Sequence, residues 1–137
     1  MDFVYYNPNP KNLHTGDCVV RVLTAFLNMS WRPAFLDIIN WCADRGRVNF
    51  NYRSSYNEYL KEKGYERHKK PRKNISVGEF IEYFAEYGKV YIVSMPRHLT
   101  LVINRRLCDI WDCSGKKIDG YWVRDVSPED RIKIDNN

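Results

Sequence analysis

The stretch TGDCVVRVLTAF, Thr15–Phe26, decides how the rest of the chain is read. Val19, Val22, Leu23 and Phe26, with Leu27 beyond, recur at helical spacing, so a helix starts at Cys18 and ends near Asn28. Thr15 or Asp17 stands where an N-cap belongs. The cysteine therefore opens the helix, straight after a Gly-Asp pair, instead of sitting within the apolar stripe. A thiol at a helix N-terminus meets the positive end of the dipole and unpaired backbone N–H groups, and both favour the thiolate. The same N–H groups can hold an oxyanion, and Gly16 leaves space for a substrate backbone. A small core residue would fit the same helix, so this stretch alone leaves both readings of Cys18 open.

Outward from that helix, the first half of the chain reads as more helices. Residues 1–14, rich in proline and asparagine, read as an extended surface stretch. Ser30 caps a second helix that carries Pro33 in its first turn and stops at Gly46. A third helix, SSYNEYLKEKG, stops at Gly64. Ser76 and Glu79 form a capping box that opens a fourth helix running to about Tyr87. The pattern then changes to short strands: VYIVSM, RHLTLVIN, RLCDIWD and GYWV, with Asn104–Arg106 as a hairpin turn. Helices first and antiparallel strands second predict an α+β domain. Its 137 residues, 44% of them hydrophobic, suffice for one domain over 1–137 without disulfide staples.

Cys18, Cys42, Cys108 and Cys113 form no CxxC pair, and the three histidines are scattered, so no zinc site or other cofactor is expected. The start, MDFVYYNPNP, has neither the basic nor the apolar region of a secretory signal. A cytoplasmic protein with reduced thiols follows as the expectation, although four cysteines would also allow two disulfides. Cys42 and Cys108 read as core residues, and Cys113 lies at a strand end or turn. The net charge of +5 is local: Lys61–Lys73 holds seven cations against Glu62 and Glu66. Lys69, Lys70, Arg72 and Lys73 are the candidate contacts for an acidic partner or nucleic acid, or simply a solvated loop. No RNP, KH or zinc-finger pattern accompanies them.

His98 begins the strand that follows MPR, where rigid structure can hold an imidazole against a thiol. A third group must orient that imidazole, and Asp109 and Asp112 are the candidates. A two-residue turn at Asn104 and Arg105 pairs Ile103 with Arg106 and brings Thr100 opposite Asp109. His98, Thr100, Asp109 and Trp111 then share one face of the hairpin. A three-residue turn would shift the register by one and favour Asp112. Arg21, inside an apolar helix, is expected to pair with a buried acid or to touch substrate.

The order Cys, His, Asp, with the cysteine opening the first helix and the other two on a later sheet, resembles the papain-like cysteine peptidase superfamily. The Asp-Cys start is most similar to the bacteriocin-leader peptidase domains of ABC transporters. Asp109-x-Trp111 resembles papain's Asn-x-Trp. The chain also resembles small phage and bacterial proteins with a TGDC…HLT…DxWDC pattern. The resemblance implies a papain-like fold with helices packed on an antiparallel sheet. It implies a cysteine peptidase or isopeptidase with Cys18 as nucleophile, His98 as base and Asp109, or Asp112, as orienting acid. Transfer to an amine would use the same residues. The oxyanion-hole glutamine six residues before the cysteine is Asn12 here, one methylene shorter, with His14 or a backbone N–H as substitutes. A non-catalytic interaction module on the same frame, of phage or bacterial origin, is the alternative.

Overall fold

The computed structural model describes residues 2–135. Four helices, α1 (Cys18–Phe26), α2 (Trp31–Asp44), α3 (Arg53–Glu62) and α4 (Val77–Tyr83), accompany six strands. The strands are β1 (Phe3–Tyr5), β2 (His68–Lys69), β3 (Lys89–Met95), β4 (His98–Ile103), β5 (Arg106–Asp109) and β6 (Gly120–Asp125). They form one sheet in the order β1-β5-β4-β3-β6-β2. Alternation along β3 makes this sheet the middle of three layers. Val90 and Ile92 pack towards α1, α2 and α3, whereas Tyr91, Val93 and Met95 pack towards α4.

α1 lies between α2 and the sheet, so Val19 to Phe26 are all buried and only Cys18, at its start, is partly open. Each fully buried Val, Leu or Phe there contributes roughly 1.5–3 kcal/mol, which fixes the helix that carries the thiol. Asp17 occupies the N-cap position, yet its side chain makes no cap hydrogen bond; the carboxylate turns inward to Arg21 instead. Ser30 likewise makes no side-chain cap bond, whereas the Ser76–Glu79 capping box forms as expected. α4 stops at Tyr83, short of Tyr87, because the N–H groups of Phe84 and Ala85 both turn onto the Phe80 carbonyl.

The expected antiparallel sheet is mixed. Phe3–Tyr5, read as a surface stretch, instead adds to the open edge of β5 in parallel, pairing Val4 with Cys108. An unpaired strand edge is a template for such an addition. Antiparallel pairing holds from β5 through β4, β3 and β6 to β2. β2 is the two-residue strand inside the basic loop. It can approach β6 because residue 120 is glycine: a Cβ there would lie 2.6 Å from the His68 carbonyl oxygen.

The β4–β5 hairpin turns on two residues, Asn104 (φ 49) and Arg105 (φ 62), with Ile103 opposite Arg106. Positive φ at both positions is the type I′ signature. Arginine is tolerated there because its guanidinium donates to the carbonyls of Ile81 and Glu82 at the end of α4. β5 ends at Asp109 instead of continuing to Asp112. The Asp109 carboxylate accepts the Ile110 N–H at 2.7 Å, drawing off a donor that the ladder would need and turning the chain.

Candidate active site

The hairpin register brings the first residue of β4 to the last residue of β5. His98 Nε2 lies 2.7 Å from Asp109 Oδ2, and the Thr100 hydroxyl donates to the same oxygen at 2.6 Å. Only 2% of the Asp109 side chain and 12% of that of His98 is exposed. Burial works against the Asp109 carboxylate's charge, but the His98 and Thr100 hydrogen bonds, the imidazolium charge and the Ile110 N–H prevail and lower its pKa. An ionised carboxylate only accepts, so the Nε2 hydrogen is the donor and Nδ1 is left for the thiol. Trp111 lies against the imidazole, with ring centroids 5.3 Å apart.

Cys18 adjoins His98 from the start of α1. Burial pushes the thiol up. Contact with the His98 imidazole and the Leu99 backbone, and the charges of His98 and Arg21, outweigh it, so the pKa falls below its ordinary value. Burial likewise works to lower His98. Its interactions with Asp109, Cys113 and Cys18 and the Asp109 charge reverse the sign and raise it to about 11. Both directions favour a thiolate beside an imidazolium. Cys108, buried and without such partners, is pushed up to about 12.

Arg21 reaches this centre from below. It is buried, pairs with Asp17 one turn earlier and extends its other terminal nitrogen to 3.5 Å from Asp109 Oδ1. Asp17 also accepts from Trp31 Nε1 at 2.9 Å and Asn9 Nδ2 at 3.2 Å. The buried acid expected for Arg21 is thus a pair of acids, one at the N-cap of α1 and one at the end of β5.

Cys113, read as a strand end or turn, is buried, with its thiol 3.8 Å from Asp109 Oδ2. His98, Asp109 and Cys113 offer donor atoms within 4.8 Å of one another. Two tetrahedral zinc ligands stand about 3.4 Å apart, given bonds of about 2.0–2.1 Å. The His98–Asp109 separation of 2.7 Å is that of a hydrogen bond. The His98–Asp109 pair is therefore arranged to share a proton.

Cys18 and His98 open onto a cleft of about 420 Å³, lined also by Gly16, Asn51, Tyr56 and Leu99. The segment between α2 and α3 forms its far wall, and Asn51 is tied to it by a 3.3 Å bond to the Gly16 carbonyl. Nothing in the local sequence of that segment marked it as part of the site. Asn12, the candidate oxyanion donor, is not among the residues that line this cleft. It sits in an exposed turn at φ 54, with its Oδ1 accepting from Asn7. The proline-rich path of residues 7–12 carries it to the surface. Tyr5 bonds His14, the suggested substitute. Asp112 is also exposed and accepts the Ser114 N–H at 3.0 Å, so the hairpin joins Asp109 to His98.

The basic segment is partly neutralised. Lys63 pairs with Asp37, Arg72 with Glu79, and Arg67 points inward to Ser94 and the Trp122 ring. Lys69, Lys70 and Lys73 are exposed. Three strand spacings, about 14 Å, separate β2 from β4. Among the described residues no helix is long and apolar enough to cross a membrane. No protein-family model matches the chain, and neither the curated proteins nor the solved structures contain a significant match to it.

Proposed function

We propose that the chain is a papain-like cysteine hydrolase acting on amide or isopeptide bonds. The observation that carries this reading is the partly exposed Cys18 beside an imidazole whose far nitrogen is bonded to a buried carboxylate at 2.7 Å. In the reaction the Cys18 thiolate attacks the carbonyl carbon, forming a C–S bond. The His98 Nδ1–H protonates the departing nitrogen as the C–N bond breaks. A water then gives its proton to Nδ1, its oxygen attacks the thioester, and the C–S bond breaks to restore the thiolate. The Cys18 backbone N–H, at the start of α1 and outside the helical ladder, is suited to hold the oxyanion.

The test is the pH dependence of iodoacetamide labelling, read by mass spectrometry at each cysteine. Fast labelling of Cys18 at pH 6 that collapses in His98→Ala, with Cys42 and Cys108 slow throughout, is the expected result. Slow labelling that ignores His98 would overturn the hydrolase and leave the same frame serving as an interaction module.

A further inference from the structure

A second cleft of about 440 Å³ also contains His98 but not Cys18; it is lined by Met95, Pro96, Arg97, His98, Trp111, Lys116 and Lys117. It shares Met95, Arg97 and His98 with the first cleft, so the two meet at these residues. Besides His98, three of its lining side chains, Arg97, Lys116 and Lys117, are cations, and none is a carboxylate. Among the described residues the Arg97 and Lys116 side chains have no hydrogen-bond or ion-pair partner, whereas Lys117 donates to the Asn74 carbonyl and its charge is felt by Glu79, which pairs with Arg72. The acids nearest in sequence are engaged elsewhere: Asp109 with His98, Asp112 with the Ser114 N–H and Asp119 with Arg53.

Arg97 is an independent mark. It occupies the second position of the tight Pro96–Arg97 turn that joins β3 to β4, at φ 63. That position favours glycine or asparagine. Arg105, the other arginine at positive φ, bonds two α4 carbonyls and stacks over Tyr87. Arg97 has no such compensation. Its exposed guanidinium stands at the junction of the two clefts.

We propose that this second cleft is a subsite for an acidic side chain on the leaving-group side of a peptide substrate; the proposal rests on the hydrolase reading. The side follows from the chemistry. The acyl group is bound to Cys18 and stays in the cleft that contains it, while the departing nitrogen takes its proton from His98, which faces both clefts. The residue carrying that nitrogen therefore extends towards Arg97, Lys116 and Trp111. A carboxylate there gains charge-assisted hydrogen bonds from Arg97 and Lys116, whose side chains have no partner among the described residues, and the Trp111 ring covers the stem of the side chain.

The test measures binding to the Cys18→Ala protein, so turnover is not required. Acetyl-Gly-Gly-Glu-Glu-amide and its Gln-Gln counterpart are titrated against Trp111 indole N–H shifts at low salt. The Glu peptide is expected to bind at least tenfold tighter, with the advantage lost in Arg97→Gln/Lys116→Gln and weakened by salt. Equal affinities, no binding of either peptide, or a preference that survives the double variant would overturn the subsite. Tighter binding of a short oligothymidylate through the same two residues would also overturn it, in favour of nucleic acid. Iodoacetamide labelling of the unsubstituted thiol reports the Cys–His pair separately, so failure of the subsite and failure of the hydrolase are distinguishable.

Discussion

Asp17 and Arg21 pair one helical turn apart in the interior, each 4% exposed. Through the other end of its guanidinium Arg21 faces Asp109, so a charge chain runs from the start of α1 to the acid behind His98. Removing one partner of a buried pair typically costs about 3–5 kcal/mol, because the other charge is left uncompensated. Arg21→Met should fall near the low end, since Trp31 and Asn9 still donate to Asp17. Urea denaturation checks this. The double variant Asp17→Leu/Arg21→Met should recover part of the loss, and a single variant as stable as the parent would show that the pair does not hold α1.

The raised His98 pKa sets a stability window. A group whose folded pKa exceeds its unfolded value stabilises fully below the unfolded pKa and loses that effect as pH rises through the folded one. For His98 these limits are 6.5 and about 11. The stability difference between wild type and His98→Gln, measured by denaturation at pH 6, 8 and 10, should shrink steadily with pH. Asp109, whose pKa is lowered, acts in the opposite sense: its stabilisation is present above the ordinary carboxylate range and is lost on acidification. A His98 difference that is flat with pH would contradict a protonated imidazole in the folded protein.

The four helices were legible because apolar spacing, Gly46, Gly64 and the Ser76–Glu79 box are local signals. So was the Asn104–Arg105 turn, whose length sets the register that selects Asp109. β1 was not legible: three residues beside a proline-rich run become a strand only because β5 offers an open edge. Arg21 announced a buried partner by its position in an apolar helix. Its contact with Asp109, 88 residues away in sequence, depends on the packing of α1 against the sheet. Charge counting found the basic loop but could not foresee that Arg67 turns inward and that Lys63 and Arg72 are paired. The wall from Asn49 to Tyr56 belongs to the cleft through the docking of α3, and Asn12 is not among its lining residues because its turn runs along the surface.

Asp109, Asp112 and Asn12 separate in one experiment. Asp109→Asn keeps the size of the side chain but removes the charge that supports the imidazolium, so His98 should titrate well below its wild-type value. Cys18 labelling at pH 6 should fall at least tenfold. Asp112→Asn should label as wild type, since among the described residues its carboxylate bonds only Ser114, in an exposed turn. Asn12→Ala should also label normally while losing roughly 1 kcal/mol of stability, because alanine fits positive φ poorly. A labelling defect in Asp112→Asn with none in Asp109→Asn would reverse the assignment of the orienting acid.

Arg97→Gly sets stability against binding. A non-glycine residue in the left-handed region costs roughly 1–2 kcal/mol, and glycine's extra backbone freedom in the unfolded chain offsets about 0.5–1 kcal/mol of the relief. Arg97 makes no hydrogen bond or ion pair among the described residues, so the substitution gives up little else in the fold. It should therefore stabilise the protein by roughly 0.5–1 kcal/mol and raise the melting temperature by a few degrees. The same change removes a cation from the junction of the two clefts, so affinity for the Glu peptide should fall several-fold while affinity for the Gln peptide stays constant. Calorimetry and the indole titration read the two effects on one sample. A variant that gains stability and keeps its preference for glutamate would show that Arg97 is strained without serving the cleft. One that loses stability would show that the arginine holds the β3–β4 turn itself.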